Sequence, residues 1–193
     1  IVNQHILAAH IIAKQFALSA DPKVKTVVLI TQNNWNAGRA PIITSRYGWK
    51  TPLGKIQPAS TLANLLIQKN IASDEEDIFT QEHGITGIVP YVAHSFPNAK
   101  IIPLVIRDNT PDSMIDALAS DLSKLDLSQT VIVGTIDMSH YLPKYVAEAH
   151  DRLTVQSIKE FDYETLPRLD IDTVPTLRII LKLLMKPKGK FKN

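Results

Sequence analysis

Polar side chains that can bind a metal or carry protons follow three short apolar runs of strand type. The first apolar stub, Ile1-Val2, is followed by Asn3-Gln4-His5, and the run Val27–Ile30 is followed by Thr31-Gln-Asn-Asn34. A third run, Val131–Val133, leads to the segment Thr135-Ile-Asp-Met-Ser-His-Tyr141. Ordinary surface loops favour lysine and glutamate, whereas these side chains make directional hydrogen bonds or coordinate metals. The three clusters are therefore candidates for one functional site.

A fourth cluster, Glu82-His83-Gly84, stands at a predicted helix start. Together the clusters offer imidazoles and carboxylates for a mononuclear metal site or for acid–base work, from His5, Glu82, His83, Asp137 and His140. A serine triad is not indicated, because Ser139 and His140 are adjacent and their side chains diverge. The chain also has no glycine-rich phosphate loop and no dinucleotide fingerprint.

Each cluster also has a purely structural interpretation, which stays open from the sequence alone. Asn33-Asn34 is typical of turns, and Asp137 with Ser139 is typical of helix caps. His5 alone is compatible with a buried core histidine, and Glu82-His83 with a capping pair. All four interpretations would have to coincide at one edge of the sheet, which weakens them together. Three further histidines lie on predicted helices and are assigned no function: His10, His94 and His150.

Strands alternate with helices along the chain, and this alternation predicts where the clusters meet. The predicted strands are Thr26–Ile30, Ile42–Ser45, Ala99–Ile106 and Thr130–Gly134. The predicted helices are Ile6–Ser19, Ser60–Lys69, Gly84–Ser95, Thr110–Leu125, Lys144–Phe161 and Asp172–Met185. The pattern indicates an α/β fold of three layers, with a mostly parallel central sheet and helices on both faces. Right-handed crossovers put the carboxyl ends of the strands on one edge, where such sheets bind ligands.

Prolines and capping residues add detail to the predicted helices and strands. Pro103 predicts an irregular or edge position for its strand, because proline lacks a backbone donor. Pro90 predicts a kink or a restart inside its helix. Thr110-Pro111-Asp112 is typical of a helix start with a hydroxyl cap, and Ser73 with Glu76 indicates a capping box for a short helix.

The composition of the chain excludes several classes of protein and of chemistry. With 193 residues, 45% hydrophobic and 21% charged, the chain predicts one globular domain. The net charge of +2 gives no field that would favour nucleic acid, and no run approaches the roughly 18 apolar residues of a membrane span. The absence of cysteine excludes disulfides, iron–sulfur clusters and thiolate catalysis. It fits a reducing compartment, so we expect a cytoplasmic location.

Both ends of the chain look incomplete. Ile1-Val2 indicates the tail of a strand, and no start methionine precedes it, which is compatible with a removed leader. The last eight residues, from Lys186 to Asn193, are basic and predict a solvated tail in preference to a nucleic-acid contact. We expect the 193 residues to form a single domain that lacks parts of both ends.

The clusters belong to a longer ordered series of motifs. The series is Ile1-Val-Asn-Gln-His-Ile-Leu-Ala-Ala9, Val28–Gly38, Trp49-Lys-Thr-Pro-Leu-Gly54, Glu82-His-Gly-Ile85, Phe96–Pro103, Asp137-Met-Ser-His-Tyr141, His150-Asp151 and Asp170-Ile-Asp172. In this order it resembles the Memo family, whose bacterial form is called AmmeMemoRadiSam system protein B. The resemblance covers nearly the whole chain, and its Glu-His-Gly-Ile and Asp-x-Ser-His-Tyr motifs are fairly specific.

The resemblance implies a fold like that of the LigB-type class III extradiol dioxygenases, which use non-haem iron. Fe(II) or another divalent metal is therefore the implied cofactor, although Memo proteins have no agreed activity. A redox role and metal binding are attributed to some members. The implied partners are a radical-SAM protein and an AMMECR-type protein.

Departures from the family pattern fall on the metal positions. The family usually has histidine where this chain has Gln4 and Asn34, and its third position, cysteine or serine, corresponds to Ser139. Amide side chains bind divalent metals far more weakly than imidazole does. The surrounding residues that remain are His5, Glu82, His83, Asp137 and His140. The pattern therefore predicts a Memo-like pocket with weakened or lost metal binding.

Three functions are compatible with this pocket. The first is a binding module or pseudo-enzyme with weakened or absent iron binding. The second is an iron-dependent, dioxygenase-like oxidoreductase with His5, His83 and His140 as ligands and Asp137 as base or orienting carboxylate. The third is a metal-independent hydrolase or lyase in which His140 and Asp137 exchange protons. We expect His83, Asp137 and His140 to be the catalytic residues in any enzyme of this kind.

The predicted site also has a wider lining. We expect it to include Gln4, His5, Asn33, Asn34, Glu82, Ser139 and Tyr141. Every hypothesis requires one spatial condition, which is that five side chains face a common cavity: Gln4, Asn34, His83, Asp137 and His140.

Overall fold

Seven strands form one sheet in the computed structural model, which describes residues 1–185. The strands are β1 (Thr26–Gln32), β2 (Ile42–Thr44), β3 (Trp49–Thr51), β4 (Gly54–Pro58), β5 (Ser73–Asp74), β6 (Lys100–Ile106) and β7 (Thr130–Gly134). The basic segment Lys186–Asn193, for which we predict a solvated tail, lies outside the described residues.

Seven α-helices and three short 3-10 helices pack around this sheet within the described part of the chain. The α-helices are α1 (Ala9–Ser19), α2 (Ser60–Gln68), α3 (His83–Thr86), α4 (Val89–Ser95), α5 (Asp112–Leu122), α6 (Lys144–Glu160) and α7 (Val174–Met185). The 3-10 helices are Ile6–Ala8, Glu76–Thr80 and Leu166–Arg168. Pro90 lies in the first turn of α4, so the predicted restart is confirmed. No helix within residues 1–185 is long and apolar enough to cross a membrane.

The sheet is mostly parallel, as predicted, and its strand order is β3-β4-β6-β1-β7. Strand β1 pairs in parallel with both β6 and β7, and β4 pairs in parallel with β6. The first apolar stub joins them through a parallel bridge between Val2 and Thr135. The carboxyl ends of the stub, β1, β6 and β7 therefore meet at one edge of the sheet.

Helices cover both faces of the sheet, which makes three layers. Successive residues of a strand point to opposite faces, so β1 contributes Val27 and Leu29 to one core and Val28 and Ile30 to the other. The first core is completed by apolar residues of α1, α3 and α4, and the second by those of α2, α5 and α7. All four of these β1 side chains are fully buried. Burial on both faces explains why the strand is continuously apolar.

Pro103 does not mark an edge strand, because β6 lies in the middle of the sheet. On the side away from β1, β4 reaches Ile101 of β6 and β2 begins its antiparallel pairing at Leu104. Pro103 falls between these two partners, and its carbonyl accepts a hydrogen bond from the Thr44 hydroxyl at 2.8 Å. The missing N–H therefore costs no ladder hydrogen bond. Of the two predicted alternatives, the irregular position is confirmed and the edge position is wrong.

The two predicted hydroxyl caps are also wrong. Ser73 lies in the short strand β5, and the Glu76 carboxylate accepts a hydrogen bond from the Ser45 hydroxyl at 2.6 Å. The Thr110 hydroxyl donates to two backbone carbonyls, so α5 begins at Asp112 without a side-chain cap. In both cases a tertiary partner competes successfully for the polar group.

Candidate functional site

A cavity of about 700 Å³ opens where the carboxyl ends of the parallel strands meet. Five residues whose convergence the sequence predicts all line it: Gln4, Asn34, His83, Asp137 and His140. Two other predicted residues line the same cavity, His5 and Tyr141. Two carboxylates that were not predicted to belong to the site join them, Asp170 and Asp172. The spatial condition on which the functional hypotheses depend is therefore met in the structure.

The side-chain amide of Gln4 is the most extensively bonded group of the cavity. It is buried, and its Oε1 accepts hydrogen bonds from the hydroxyls of Thr31 at 3.0 Å and Thr135 at 3.4 Å. Its Nε2 donates to the Asp172 carboxylate and to Asn34 Oδ1, the latter at 3.4 Å. The amide nitrogen therefore points toward Asp172 and the cavity, and the amide oxygen points toward the threonines of the sheet.

Gly84 allows α3 to approach this amide. A Cβ atom at Gly84 would lie 1.9 Å from Thr31 Oγ1 and 2.6 Å from Gln4 Oε1. No real side chain is tolerated at such distances, so the glycine of the Glu82-His83-Gly84 cluster is required by close packing rather than by backbone freedom. The cluster therefore shapes the cavity wall behind Gln4.

Asp137 and Asp172 are joined by reciprocal backbone contacts. The Asp137 N–H donates to Asp172 Oδ1 at 3.0 Å, and the Asp172 N–H donates to the Asp137 carbonyl at 3.1 Å. Burial, and secondarily the negative charge of Asp137, raise the pKa of Asp172 to about 7, although a backbone hydrogen bond opposes this shift. The cavity thus holds a carboxyl group that titrates close to neutral pH.

His140 lies beside Asp137 on the same wall. Its Nε2 is 3.7 Å from Asp137 Oδ2, while the other oxygen of that carboxylate accepts hydrogen bonds from the Gln4 N–H at 3.0 Å and from Asn3 Nδ2 at 3.2 Å. The imidazole stacks on Tyr141, with 5.8 Å between ring centroids. Tyr141 is fully exposed and has a left-handed backbone with φ of 57°. An imidazole held near a fixed carboxylate is an arrangement that can move protons.

Asn33 and Glu82 lie behind the cavity wall and do not line it. The Asn33 side chain closes its own loop, accepting from the Ala37 N–H at 2.9 Å and donating to the Ala37 carbonyl at 2.7 Å. Glu82 is buried, and its carboxylate accepts from Asn34 Nδ2 at 2.6 Å and caps α3 through the Gly84 N–H at 3.2 Å. The turn and capping interpretations therefore hold for these two residues.

Ser139 also faces away from the cavity. Its hydroxyl donates to Asp151 Oδ1 at 2.6 Å, and its N–H donates to the same oxygen at 3.2 Å. The residue before Asp151 in α6 is His150, whose Nδ1 lies 2.9 Å from Asp170 Oδ2. His150, to which we assigned no function, therefore supports a carboxylate of the cavity, and α6 anchors two of the segments around it.

His5 and His83 lie at the rim of the cavity. His5 is exposed, and its Nδ1 accepts from the Leu7 N–H at 3.2 Å, which caps the first 3-10 helix. His5 is therefore not a core histidine. His83 is exposed, and its side chain makes no hydrogen bond to any of residues 1–185. These imidazoles are free to meet a ligand that enters the cavity.

The donor set does not fit the metal that the family resemblance implies. At the three family positions, Gln4 Oε1 faces two hydroxyls, Asn34 Oδ1 accepts from Gln4, and the Ser139 hydroxyl donates to Asp151. Within residues 1–185 no three or more histidine, aspartate or glutamate residues are grouped so that they could hold a metal ion. The oxygen ligands that remain are weak and already engaged.

Sequence reasoning missed Thr31, Thr135 and Asp172 as parts of the site. The two threonines stand directly at strand ends inside clusters already noted, so their position was a usable signal. Asp172 follows a loop rather than a strand, and its only signal was the motif Asp170-Ile-Asp172.

The family of the chain follows from comparison with known sequences. The family model described as Memo-like protein matches residues 4–174. The chain belongs to the Memo family. The matched segment begins at Gln4 and ends at the start of α7, so it contains every residue of the cavity.

Several relatives described as MEMO1 family proteins support this assignment, and most of them are archaeal. The protein from Sulfolobus acidocaldarius is 30% identical over 168 residues, which are 84% of this chain and 58% of the relative. The protein from Saccharolobus solfataricus is 27% identical, covering 83% of this chain and 57% of the relative. The protein from Thermotoga maritima is 29% identical, covering 75% and 54%. The Memo segment described here thus spans little more than half the length of these relatives.

A solved structure has the same fold. The uncharacterized protein JW3007 from Escherichia coli K12 superposes with a TM-score of 0.58, covering 93% of this chain and 82% of the other. The two sequences are 12% identical, so the likeness concerns the fold of this Memo segment alone.

Proposed function

We propose that this Memo-family chain is a binding module for a small polar molecule, in which a hydrogen-bonded amide–carboxylate cluster occupies the place of a metal centre. The observation that carries the proposal is the bonding of Gln4, whose amide contacts Thr31, Thr135, Asn34 and Asp172 at a position where the family usually has histidine. A saturated, buried amide has no lone pair directed at the cavity for a metal to use.

The charges of the cavity indicate the kind of molecule it binds. Asp137, Asp170 and Asp172 line it, and no lysine or arginine among residues 1–185 does. Imidazoles and tyrosines make up much of the remaining polar lining. Carboxylates accept hydrogen bonds, so the complementary ligand carries hydrogen-bond donors, and an amino group is the strongest of these.

Metal analysis tests the proposal. We expect freshly purified protein to contain no stoichiometric metal, and equilibrium dialysis against Fe(II), Zn(II) and Cu(II) to show no site of submicromolar affinity. One tightly held equivalent would overturn the proposal. If His83→Ala and His140→Ala then abolished that binding, the alternative would be supported, namely an iron-dependent oxidoreductase that uses His5, His83 and His140 as ligands.

A second candidate function is metal-independent acid–base catalysis, as in a hydrolase or lyase. It is favoured by the 3.7 Å separation of His140 Nε2 and Asp137 Oδ2 on the cavity wall. An activity with a bell-shaped pH profile that survives EDTA, and that both His140→Gln and Asp137→Asn remove, would support it. An activity that EDTA removes, or that survives both substitutions, would reject it.

Location and partners are proposals that follow from the composition and the family. We place the chain in the cytoplasm, because the absence of cysteine fits a reducing compartment. We also propose a radical-SAM protein and an AMMECR-type protein as partners. Co-purification of either protein with the tagged chain would support the association, and failure of both to co-purify when co-expressed would reject it.

A further inference from the structure

A second cavity, of about 450 Å³, lies beside the first at the same edge of the sheet. Asp172 lines both cavities, so it stands where one meets the other. The second cavity is formed by the loop after β6, the start of α5 and the start of α7. Its apolar surface comes from Ile115, Leu169 and Val174, and its charged groups are Asp108, Asp112, Asp172 and Arg178.

Arg178 has unused hydrogen-bonding capacity. Its side chain is 18% exposed, whereas that of its ion-pair partner, Asp112, is 74% exposed. Among the described residues only Nη1 of the guanidinium is paired, and Nε is buried without an acceptor in residues 1–185. A guanidinium binds a carboxylate through two parallel hydrogen bonds, and a solvent-exposed ion pair holds it only weakly. Because Nε is buried, the nitrogen of Arg178 that is available to a second carboxylate is Nη2, which has no partner within residues 1–185.

The same cavity also contains negative charge that Arg178 does not neutralise. Asp108 follows β6 and accepts a hydrogen bond from Gln32 Nε2 at 2.9 Å, and no cationic side chain among residues 1–185 pairs with it. Asp172 is bonded to Gln4 and to the Asp137 backbone, and it likewise has no cationic partner in the described chain. A purely anionic ligand would be repelled by Asp108, and by Asp172 where that carboxyl is ionised, and a purely cationic one would meet Arg178.

We propose that the second cavity binds the amino-acid head of a ligand, with its carboxylate on Arg178 and its ammonium group facing Asp108 and Asp172, while the rest of the ligand reaches past Asp172 into the first cavity. Charges of both signs within one cavity match a molecule that carries both charges close together. The inference rests on the proposed binding function and names the class of its ligand as an amino acid or a compound ending in one.

A neighbouring ion pair provides a matched control. Lys182, one turn after Arg178 on α7, pairs with Asp116, one turn after Asp112 on α5, at 2.7 Å. This second pair joins the same two helices, but neither of its residues lines the second cavity. If Arg178 only tied α7 to α5, Arg178→Gln and Lys182→Gln would have the same effects.

Calorimetric titration tests the proposal. The twenty standard L-amino acids, each at about 10 mM to reveal dissociation constants up to the millimolar range, serve as probes for the wild-type chain. We expect at least one to bind, and we expect its C-terminal amide and its deamino analogue each to bind about tenfold more weakly or worse.

Arg178→Gln should weaken binding about tenfold, whereas Lys182→Gln should change it less than about twofold. Asp108→Asn, an exposed site where folding is not at risk, should weaken binding of the amino acid but not of the deamino analogue.

Three outcomes would overturn the proposal. These are the failure of every amino acid to bind, equal losses in Arg178→Gln and Lys182→Gln, and equal affinity for the amino acid, its amide and its deamino analogue. Urea unfolding of each variant shows whether a loss of binding accompanies a loss of folding; a loss in Arg178→Gln that only follows lost folding also counts against the subsite. Metal dialysis, which tests the proposed function itself, uses no amino acid, so the two failures are distinguishable.

Discussion

The side-chain amide of Gln4 donates a hydrogen bond to the carboxylate of Asp172, a residue 168 positions later in the chain. This contact joins the segment beside β7 to the loop that leads into α7, across the floor of the cavity. The chain thus combines the Memo fold with an amide, in place of an imidazole, at residue 4. The following predictions test consequences of this contact and of the contacts around it.

The free energy of unfolding should depend on pH because the pKa of Asp172 is raised in the folded chain. Its pKa is raised from 3.8 to about 7 in the folded chain, so the folded state holds a proton that the unfolded state has released between these values. Stability should therefore fall as pH rises through this window, by about 2 kcal/mol between about pH 5 and about pH 8 from this group alone. Urea unfolding at both pH values measures the effect. Asp172→Asn should remove that part of the difference, and an unchanged difference would contradict the assignment.

Replacing Gly84 should disturb the cavity wall. The added methyl group of Gly84→Ala would lie 1.9 Å from Thr31 Oγ1, so the variant should lose about 2 kcal/mol of unfolding free energy or more. Adding Thr31→Ala removes the nearest clashing atom, and the double variant should be more stable than the sum of the two single effects. Denaturant unfolding of the four proteins measures this coupling. Strict additivity would show that the close approach is not present in solution.

Ser139 should act on stability through Asp151. Its hydroxyl and its N–H both donate to one oxygen of that carboxylate, so Ser139→Ala should cost about 1 to 2 kcal/mol. Asp151→Ala, which removes the acceptor, should cost at least as much, and the double variant should lose less than the sum, because both changes remove the bond from the hydroxyl. Unfolding curves of the three variants provide the measurement. Wild-type stability in Ser139→Ala would contradict the contact between the hydroxyl and Asp151 and would favour a hydroxyl that faces another partner or the cavity.

The central sheet could be predicted because its strands are short apolar runs that separate helical segments. Burial on both faces makes β1 continuously apolar, and that pattern is visible in the sequence. The convergence of Gln4, Asn34 and Asp137 followed from the rule that parallel strands end at one edge. Both predictions use only the spacing of apolar residues along a strand and the direction of the strand, which are local properties.

Other features depend on partners distant in sequence and could not be predicted. Ser139 belongs to the cluster that follows β7 and corresponds to the third metal position of the family pattern, which predicted a place in the cavity, but Asp151 on α6 binds its hydroxyl. Asp172 was missed because it follows a loop, and only the folded chain brings it beside Gln4. The Thr110 cap was wrong because two backbone carbonyls, that of Pro41 in another loop and that of Arg107 in its own loop, accept from its hydroxyl.

Restoring histidine should create metal affinity that the wild-type cavity lacks. In Gln4→His with Asn34→His, two imidazoles would stand beside Asp172, a combination that suits divalent metals. The double variant should bind Zn(II) at least about tenfold more tightly than the wild type, and each single variant should fall between them. Equilibrium dialysis measures the affinities. Wild-type affinity in the double variant would mean that these positions do not share a metal site.

The most direct measurement is anomalous diffraction from crystals of the wild-type chain soaked in Fe(II) or Zn(II), with data collected at the absorption edge of each metal. The hydrogen-bonded state of Gln4 predicts that no anomalous peak lies within coordination distance of Gln4, Asn34 or His140, and that Gln4 still contacts Asp172. A strong peak bonded to any of these three side chains, with the contact between Gln4 and Asp172 broken, would contradict it.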